Sequence, residues 1–278
     1  MKPTAIIRLL GLLLAAALLL AACTPKPTQV VTQPTPTTTT PTDAPAVAET
    51  PNEVALPLVS GPLTRQTLTS TNIELDPAIT TDADSLMICD YVYDGLVGLD
   101  AAGNPVPALA LDWLVSDDQL DYVFYLRPDV TFHSGTVLNA DLVLNNFNRW
   151  FDPENPLHGD ATYATWETLL KGFKGETLTD KLPKSTFDGI EKVNELTVLI
   201  HLTRPEPNFL KILADPAFSL TDTEILAVEG TLYGTAAGST VGTGPYRLAA
   251  WTDAALALEP NPNYWGEVPA EALQFDLP

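Results

Sequence analysis

From Thr24 to about Pro57 the chain is built mainly from Thr and Pro, with Ala and Val and no aromatic side chain. Proline lacks a backbone donor and clashes with the preceding helical turn. The run Thr32-Gln33-Pro34-Thr35-Pro36-Thr37-Thr38-Thr39-Thr40-Pro41 therefore cannot form a helix, and it has nothing with which to build a core. Residues 23–57 are read as a semi-extended, disordered tether with a reach on the order of 100 Å at about 3.1 Å per residue. Folding is left to 58–278, which holds all five tryptophans and most of the charge. About 220 residues can bury the core of one large domain or two small ones.

Ahead of the tether, Lys2 and Arg8 precede an apolar run from Leu9 to Leu20. The run is shorter than the roughly 20 residues a bilayer core demands and suits a signal segment removed on export. It ends in Leu20-Ala21-Ala22-Cys23, which resembles the lipobox of bacterial lipoproteins. The resemblance implies a signal peptide over 1–22, lipidation of Cys23 with palmitate among the acyl groups, and a mature chain facing the extracytoplasmic side of the cell membrane. One acyl chain binds only marginally, whereas a diacylglycerol anchors firmly.

With Cys23 lipidated, Cys89 is the only other thiol, so no intrachain disulfide can form. Its neighbours Leu86, Met87, Ile88, Tyr91 and Val92 make it a buried hydrophobe rather than an activated nucleophile, which needs a basic neighbour. Thirty-five acidic residues against fourteen basic ones give a net charge of −21. That balance argues against nucleic acid as a partner and against electrostatic adhesion to anionic lipid. Three histidines, His133, His158 and His201, show no zinc spacing. Ser134 beside His133 is not a triad, and Gly-x-Ser-x-Gly is absent. The loop Gly242-Thr243-Gly244-Pro245 lacks the Lys-Ser/Thr ending of a phosphate loop, and Pro245 removes a donor, so it reads as a tight turn. No catalytic constellation, metal site or cofactor site is expected.

The element pattern is mixed α and β. A strand is expected over 63–70, a turn-rich loop over 72–77 and a helix over 84–96 that ends at Gly95 or Gly98. Tyr122 to Leu126 is apolar on both faces, which predicts a strand covered on both sides. A short strand is expected over 130–133. Asn139 should cap a helix whose apolar stripe is Leu142, Val143, Phe147 and Trp150, with Asp141 in its first turn. Val198, Ile200 and Leu202 alternate with Leu199, His201 and Thr203 in a strand. A short helix is expected over 207–214, and a hairpin over 246–259. Trp113 and Trp150 sit at core spacing, while Trp166 reads as more open.

Several motifs then occur in a fixed order. They are Tyr93-Asp94-Gly95-Leu96-Val97; Pro107-Ala108-Leu109-Ala110 and Trp113; Tyr122, Phe124, Leu126-Arg127, Val130, Phe132-His133 and Gly135; and Ala140-Asp141-Leu142-Val143. Leu196-Thr197-Val198, Pro207 with Phe209-Leu210, Gly242-Thr243-Gly244-Pro245-Tyr246 and Asn261-Pro262-Asn263-Tyr264-Trp265-Gly266 follow. Each is weak alone. The ordered set resembles the extracellular solute-binding proteins of peptide and nickel ABC importers, the oligopeptide/dipeptide-binding family, from about Gly61 to Pro278.

That resemblance implies a periplasmic-binding-protein-like α/β fold whose two lobes close on a solute. Occupancy is read by a membrane permease through a population shift toward the closed form. No enzyme activity is implied. Ligand-cleft candidates on matching segments are Asn72, Asp76, Tyr93, Gly244 and Tyr246, with the open Trp166 added as an aromatic contact. Family chains run to about twice this length, so the resemblance implies mainly the first lobe, with the second missing or separately encoded. It assigns no role to 159–181 or to His158. The expected function is binding of short peptides for delivery to ABC permease subunits. The alternative is a non-transport, lipid-anchored surface protein or an inactive truncated remnant.

Overall fold

The computed structural model describes Val59 and residues 62–278. The signal segment of 1–22, Cys23 and the tether of 23–57 lie outside the described residues. Strand β1 (Leu63–Thr67) leads through a long loop into α1 (Ala83–Val92). A two-stranded ribbon, β2 (Val97–Leu99) and β3 (Pro105–Pro107), precedes β4 (Ala110–Val115) and β5 (Asp121–Leu126). Helices α2 (Ala140–Phe151) and α3 (Ala164–Leu170) follow, then β6 (Phe187–Asn194) and β7 (Thr197–Leu202). The chain continues through α4 (Phe209–Ile212) and α5 (Thr223–Glu229) into β8 (Tyr246–Trp251), β9 (Ala255–Pro260) and β10 (Ala272–Asp276).

Two four-stranded sheets organise these elements. One has the order β4-β5-β7-β6 and is antiparallel throughout. The other has the order β1-β10-β9-β8, in which β1 pairs with β10 in parallel although they come from opposite ends of the described chain. In β7 the alternation places Val198, Ile200 and Leu202 in the core, at 4% exposure or less. Helix α2 packs against this face, on β6 and β7. Its Asn139 side chain accepts the N–H of Leu142, Asp141 lies in the first turn and Arg149 in the last, matching the helix dipole. The predicted stripe of Leu142, Val143, Phe147 and Trp150 is buried, each side chain worth about 1.5–3 kcal/mol. Asn146, on the same face, has its amide on the carbonyls of Leu142 and Thr221, and its oxygen takes the N–H and hydroxyl of Thr221. A fully satisfied buried amide of this kind pins the 219–222 segment to the helix.

Several expectations need correction. β5 is covered on one face only: Tyr122, Phe124 and Leu126 are buried, while Tyr125 is 39% exposed, because α2 covers a single side of the sheet. The expected strand over 130–133 reduces to one bridge, Thr131 to Val137, since the His133 N–H goes to the Gly242 carbonyl. The first helix stops at Val92, as Tyr93 turns extended (φ −124°, ψ 157°). The helix expected over 207–214 is a single turn, and the strand expected over 63–70 ends at Thr67. Cys89 is fully buried, as read from its neighbours. No described helix is long and apolar enough to cross a membrane.

Candidate functional site

The loop after β1 is held in place by side chains acting on backbone. The Asp84 carboxylate accepts the N–H groups of Thr69 and Ser70 and the Thr69 hydroxyl, which lowers its pKa. Further along, the Leu75 N–H donates to the Gly234 carbonyl at 2.8 Å. Gly234 lies so close that a Cβ there would fall 2.5 Å from the Asp76 nitrogen and from a Glu74 oxygen, and its φ is +78°. Only glycine meets both demands. The result is a rigid loop that delivers Glu74, Leu75 and Asp76 to one place.

Asp76 meets Arg149, which projects from the last turn of α2. Both guanidinium Nη atoms donate to the two carboxylate oxygens, and both side chains are about 3% exposed. Arg149 Nε donates to the Leu157 carbonyl at 3.2 Å, and the guanidinium lies 5.6 Å from the Tyr163 ring centroid. Burial alone works against the charge on Arg149; the adjacent Asp76 overrides it and raises the pKa. Glu74 sits beside this pair with no cation of its own. Burial, then the Asp76 charge, pushes its carboxyl up to about 7, against the opposing hydrogen bond from the Asp76 N–H.

On the facing side, His158 Nδ1 is 2.7 Å from the Arg149 carbonyl. A carbonyl only accepts, so Nδ1 carries the proton and Nε2 of the neutral ring is a bare acceptor. The ring stacks on Tyr163 with centroids 4.3 Å apart. Tyr233 closes a third side; its hydroxyl is 3.2 Å from the Tyr93 hydroxyl, accepts the Val241 N–H and reaches the Val241 carbonyl. Tyr93 in turn donates to the Leu75 carbonyl at 2.8 Å. Glu74, Asp76, Arg149, His158, Asp160 and Tyr233 line a cavity of about 510 Å³, with Ile79 and Leu226 among its apolar walls.

The cleft candidates divide accordingly. Asp76 lines the cavity, and Tyr93 stands one hydroxyl behind it. Asn72 is exposed at the start of the loop, where its N–H meets the Ser70 hydroxyl. Gly244 and Tyr246 lie elsewhere. The Gly244 N–H donates to the Val92 carbonyl, and its own carbonyl accepts from His133 Nε2 and Asn261 Nδ2. Tyr246 is 8% exposed and edge-on to Tyr91. Trp166, read as open, is 2% exposed and packs on Trp150, Phe187 and Phe218, its indole N–H donating to the Gly172 carbonyl. Residues distant in sequence cover it, so it offers no aromatic platform.

Glu74, Arg149, Asp160 and Tyr233 were not singled out from the sequence, and His158 was noted there without a role. One signal was present: Arg149 lies between Phe147 and the Trp150-Phe151 pair on an apolar helix face, where a lone charge demands a buried counter-ion. A second network absorbs other motif residues. Asp94 accepts from the Thr243 hydroxyl, Trp265 Nε1 and the Tyr264 hydroxyl, and Arg127 lies 4.3 Å over the Trp265 ring. Among the described residues, no group of three or more His, Cys, Asp or Glu side chains is placed to hold a metal ion.

The chain was compared with known proteins. A family model described as bacterial extracellular solute-binding proteins, family 5 (middle part), matches residues 104–276. The chain is 34% identical over 219 residues to Di/tripeptide-binding protein 4 of Pseudomonas aeruginosa, covering 74% of this chain and 38% of that protein. It is 33% identical over 198 residues to the glutathione-binding protein GsiB of Pectobacterium atrosepticum, covering 70% and 34%. Among solved structures it is similar to HbpA2 from Haemophilus parasuis, at 30% identity and a TM-score of 0.66, covering 79% of this chain and 43% of that one. A dipeptide-binding protein from Pseudoalteromonas sp. SM9913 in complex with Met-Leu matches at 26% identity with the same TM-score and coverage. The chain spans less than half the length of each of these proteins.

Proposed function

Because this chain belongs to the bacterial extracellular solute-binding proteins of family 5, we propose that it captures a small solute for an ABC import system, with a short peptide as the solute. The chain has an α/β periplasmic-binding-protein-like fold that matches one lobe of that family's structures. The observation that carries the reading is the cavity beside the loop of Glu74 and Asp76. A rigid, buried ion pair frames about 510 Å³ of space, inside the range of roughly 300–1,000 Å³ typical of small-molecule sites. The named relatives that bind dipeptides, tripeptides or glutathione support a peptide as the ligand class.

In this reading Asp76 and Tyr93 hold the loop in position and Asn72 contacts solute from its exposed start. Gly244 and Tyr246 shape the lobe. Solute binds the closed form better than the open one, and the permease responds to that difference. The lipid on Cys23 keeps the protein at the outer face of the membrane, and 23–57 gives it reach. The role is binding and delivery without chemical change to the solute.

Calorimetry of the full chain in mild detergent, against di- and tripeptides, glutathione and nickel chelates, tests this. Saturable heat with at least one peptide is expected. A cooperatively folded sample that gives no heat with any of them overturns the proposal. Labelling cells with radioactive palmitate tests the anchor: label is expected on the wild-type chain and not on Cys23→Ala.

A further inference from the structure

The cavity is unevenly supplied with hydrogen-bonding groups. Arg149, its one cation, is neutralised at contact by Asp76 and further engaged by the Leu157 carbonyl. The Tyr233 hydroxyl is engaged by Tyr93 and Val241. Apart from the exposed Thr231 hydroxyl, the side-chain groups that stay unspent are acceptors. Glu74 Oε1 takes a long bond of 3.3 Å from the Asp76 N–H, and Oε2 has no partner among the described residues. His158 is 9% exposed, and its Nε2, bare in the tautomer fixed by Arg149, has no partner among the described residues either. Asp160 adds a second uncompensated carboxylate to the lining.

We propose that this cavity takes a cationic side-chain group of the solute, a primary ammonium or a guanidinium, with Glu74 as its counter-ion and His158 Nε2 as a second acceptor. The inference rests on reading the chain as a solute binder and names what that solute carries. An ammonium has three donors and no acceptor, and a guanidinium five, so either complements the free Glu74 and Asp160 carboxylates and His158 Nε2, which accept. Ile79 and Leu226 offer apolar wall to the methylene stem behind such a head. A carboxylate half-buried without a cation is an unfavourable arrangement, reflected in its raised pKa; a bound cation relieves it and draws the proton off. Glu74 is then the residue that sets charge specificity, while Asp76, already paired, holds Arg149 away from that role.

The test uses the full chain in mild detergent at about pH 8, with Ala-Lys-Ala and Ala-norleucine-Ala, which differ in one ammonium group. The lysine peptide is expected to bind at least roughly tenfold more tightly, as a partly desolvated charge-assisted bond should give. Glu74→Gln should abolish that preference and leave the norleucine affinity within about twofold. Thr231→Lys, at an exposed position on the cavity lining, should do the same by supplying a competing ammonium, and it keeps the test valid if E74Q does not fold. Independently of any peptide, n-butylammonium should shift the imidazole ¹⁵N resonances of His158 in the wild type and not in E74Q or T231K.

Equal affinity for the two peptides in the wild type, or equal loss of both in E74Q, overturns the inference while leaving peptide capture intact. If neither peptide binds but n-butylammonium shifts His158 as described, the cation site stands and the peptide reading falls. If neither peptide nor n-butylammonium has any effect, both fall.

Discussion

Replacing Asp76 by Asn keeps the shape of the side chain and its oxygen acceptor but removes its charge, leaving Arg149 buried at about 3% exposure without a counter-ion. Removing one member of a buried pair costs about 3–5 kcal/mol, because the survivor's desolvation is no longer offset. For a folded part of 150–250 residues each 1 kcal/mol moves Tm by about 2–4 °C, so D76N should lower Tm by roughly 6–20 °C. Arg149→Met should cost a similar amount: it strands Asp76 and also takes the Nε donor from the Leu157 carbonyl. The double variant D76L/R149M removes both charges and should recover most of the loss, since an apolar pair of similar volume is often neutral or better. The sum of the single effects should therefore exceed the double effect by at least about 2 kcal/mol. Urea unfolding of the four proteins, followed by tryptophan fluorescence and far-UV circular dichroism together, measures this. A D76N stability within about 1 kcal/mol of wild type, or strict additivity across the cycle, refutes the argument that Arg149 depends on Asp76.

Other consequences are smaller in scope. His133 is held neutral between the Gly242 N–H and the Gly244 carbonyl, and burial, aided by Arg247, lowers its pKa to about 4. A depressed folded pKa gives stability that is present above the ordinary value of about 6.5 and lost as pH falls to 4, at most about 3 kcal/mol; urea midpoints across that window should show the slope, and His133→Phe should flatten it. Glu74 acts with the opposite sign, its pKa raised from 4.5 to about 7, so its contribution is present below 4.5 and lost as pH rises through 7; E74Q should gain on the wild type over that interval in the same assay. Gly244→Ala would set a Cβ 2.5 Å from the Val92 carbonyl carbon, which cannot yield as a flexible side chain would; a loss of at least about 2 kcal/mol in the urea midpoint analysis is expected. Cys89 is fully buried, and burial raises its pKa, so iodoacetamide should label it only at urea concentrations that unfold the protein.

What could be read from sequence was local. The β7 alternation, the Asn139 cap with the stripe of α2, and the hairpin of β8 and β9 each occupy a short window, and each is present. Contacts across long separations were not legible. Trp166 looks open among Tyr163, Thr165 and Glu167 and is buried by Phe187 and Phe218, which arrive from other elements. Arg149 announces an unmet charge, but nothing in its own window says that the partner lies 73 residues earlier. Glu74 illustrates a different limit. One carboxylate among thirty-five acidic residues carries no mark of its own, and only Gly234 and Asp76 packed against it make it unusual. The ordered motifs identified the family more readily than the cavity because many of their side chains, such as Asp94 with Thr243, Tyr264 and Trp265, fasten the fold together.

The parallel pairing of β1 with β10 has a consequence for the order of events during folding. Synthesis from the N-terminus releases β1 early, yet the strand it must align with emerges more than 200 residues later. Until then β1 has no backbone partner among the described strands, whereas the β4-β5-β7-β6 sheet can complete itself from a contiguous stretch. Closing so wide a loop is entropically slow, which makes this pairing a natural last step of maturation and leaves a solitary extended segment open to chaperones and proteases in the interval.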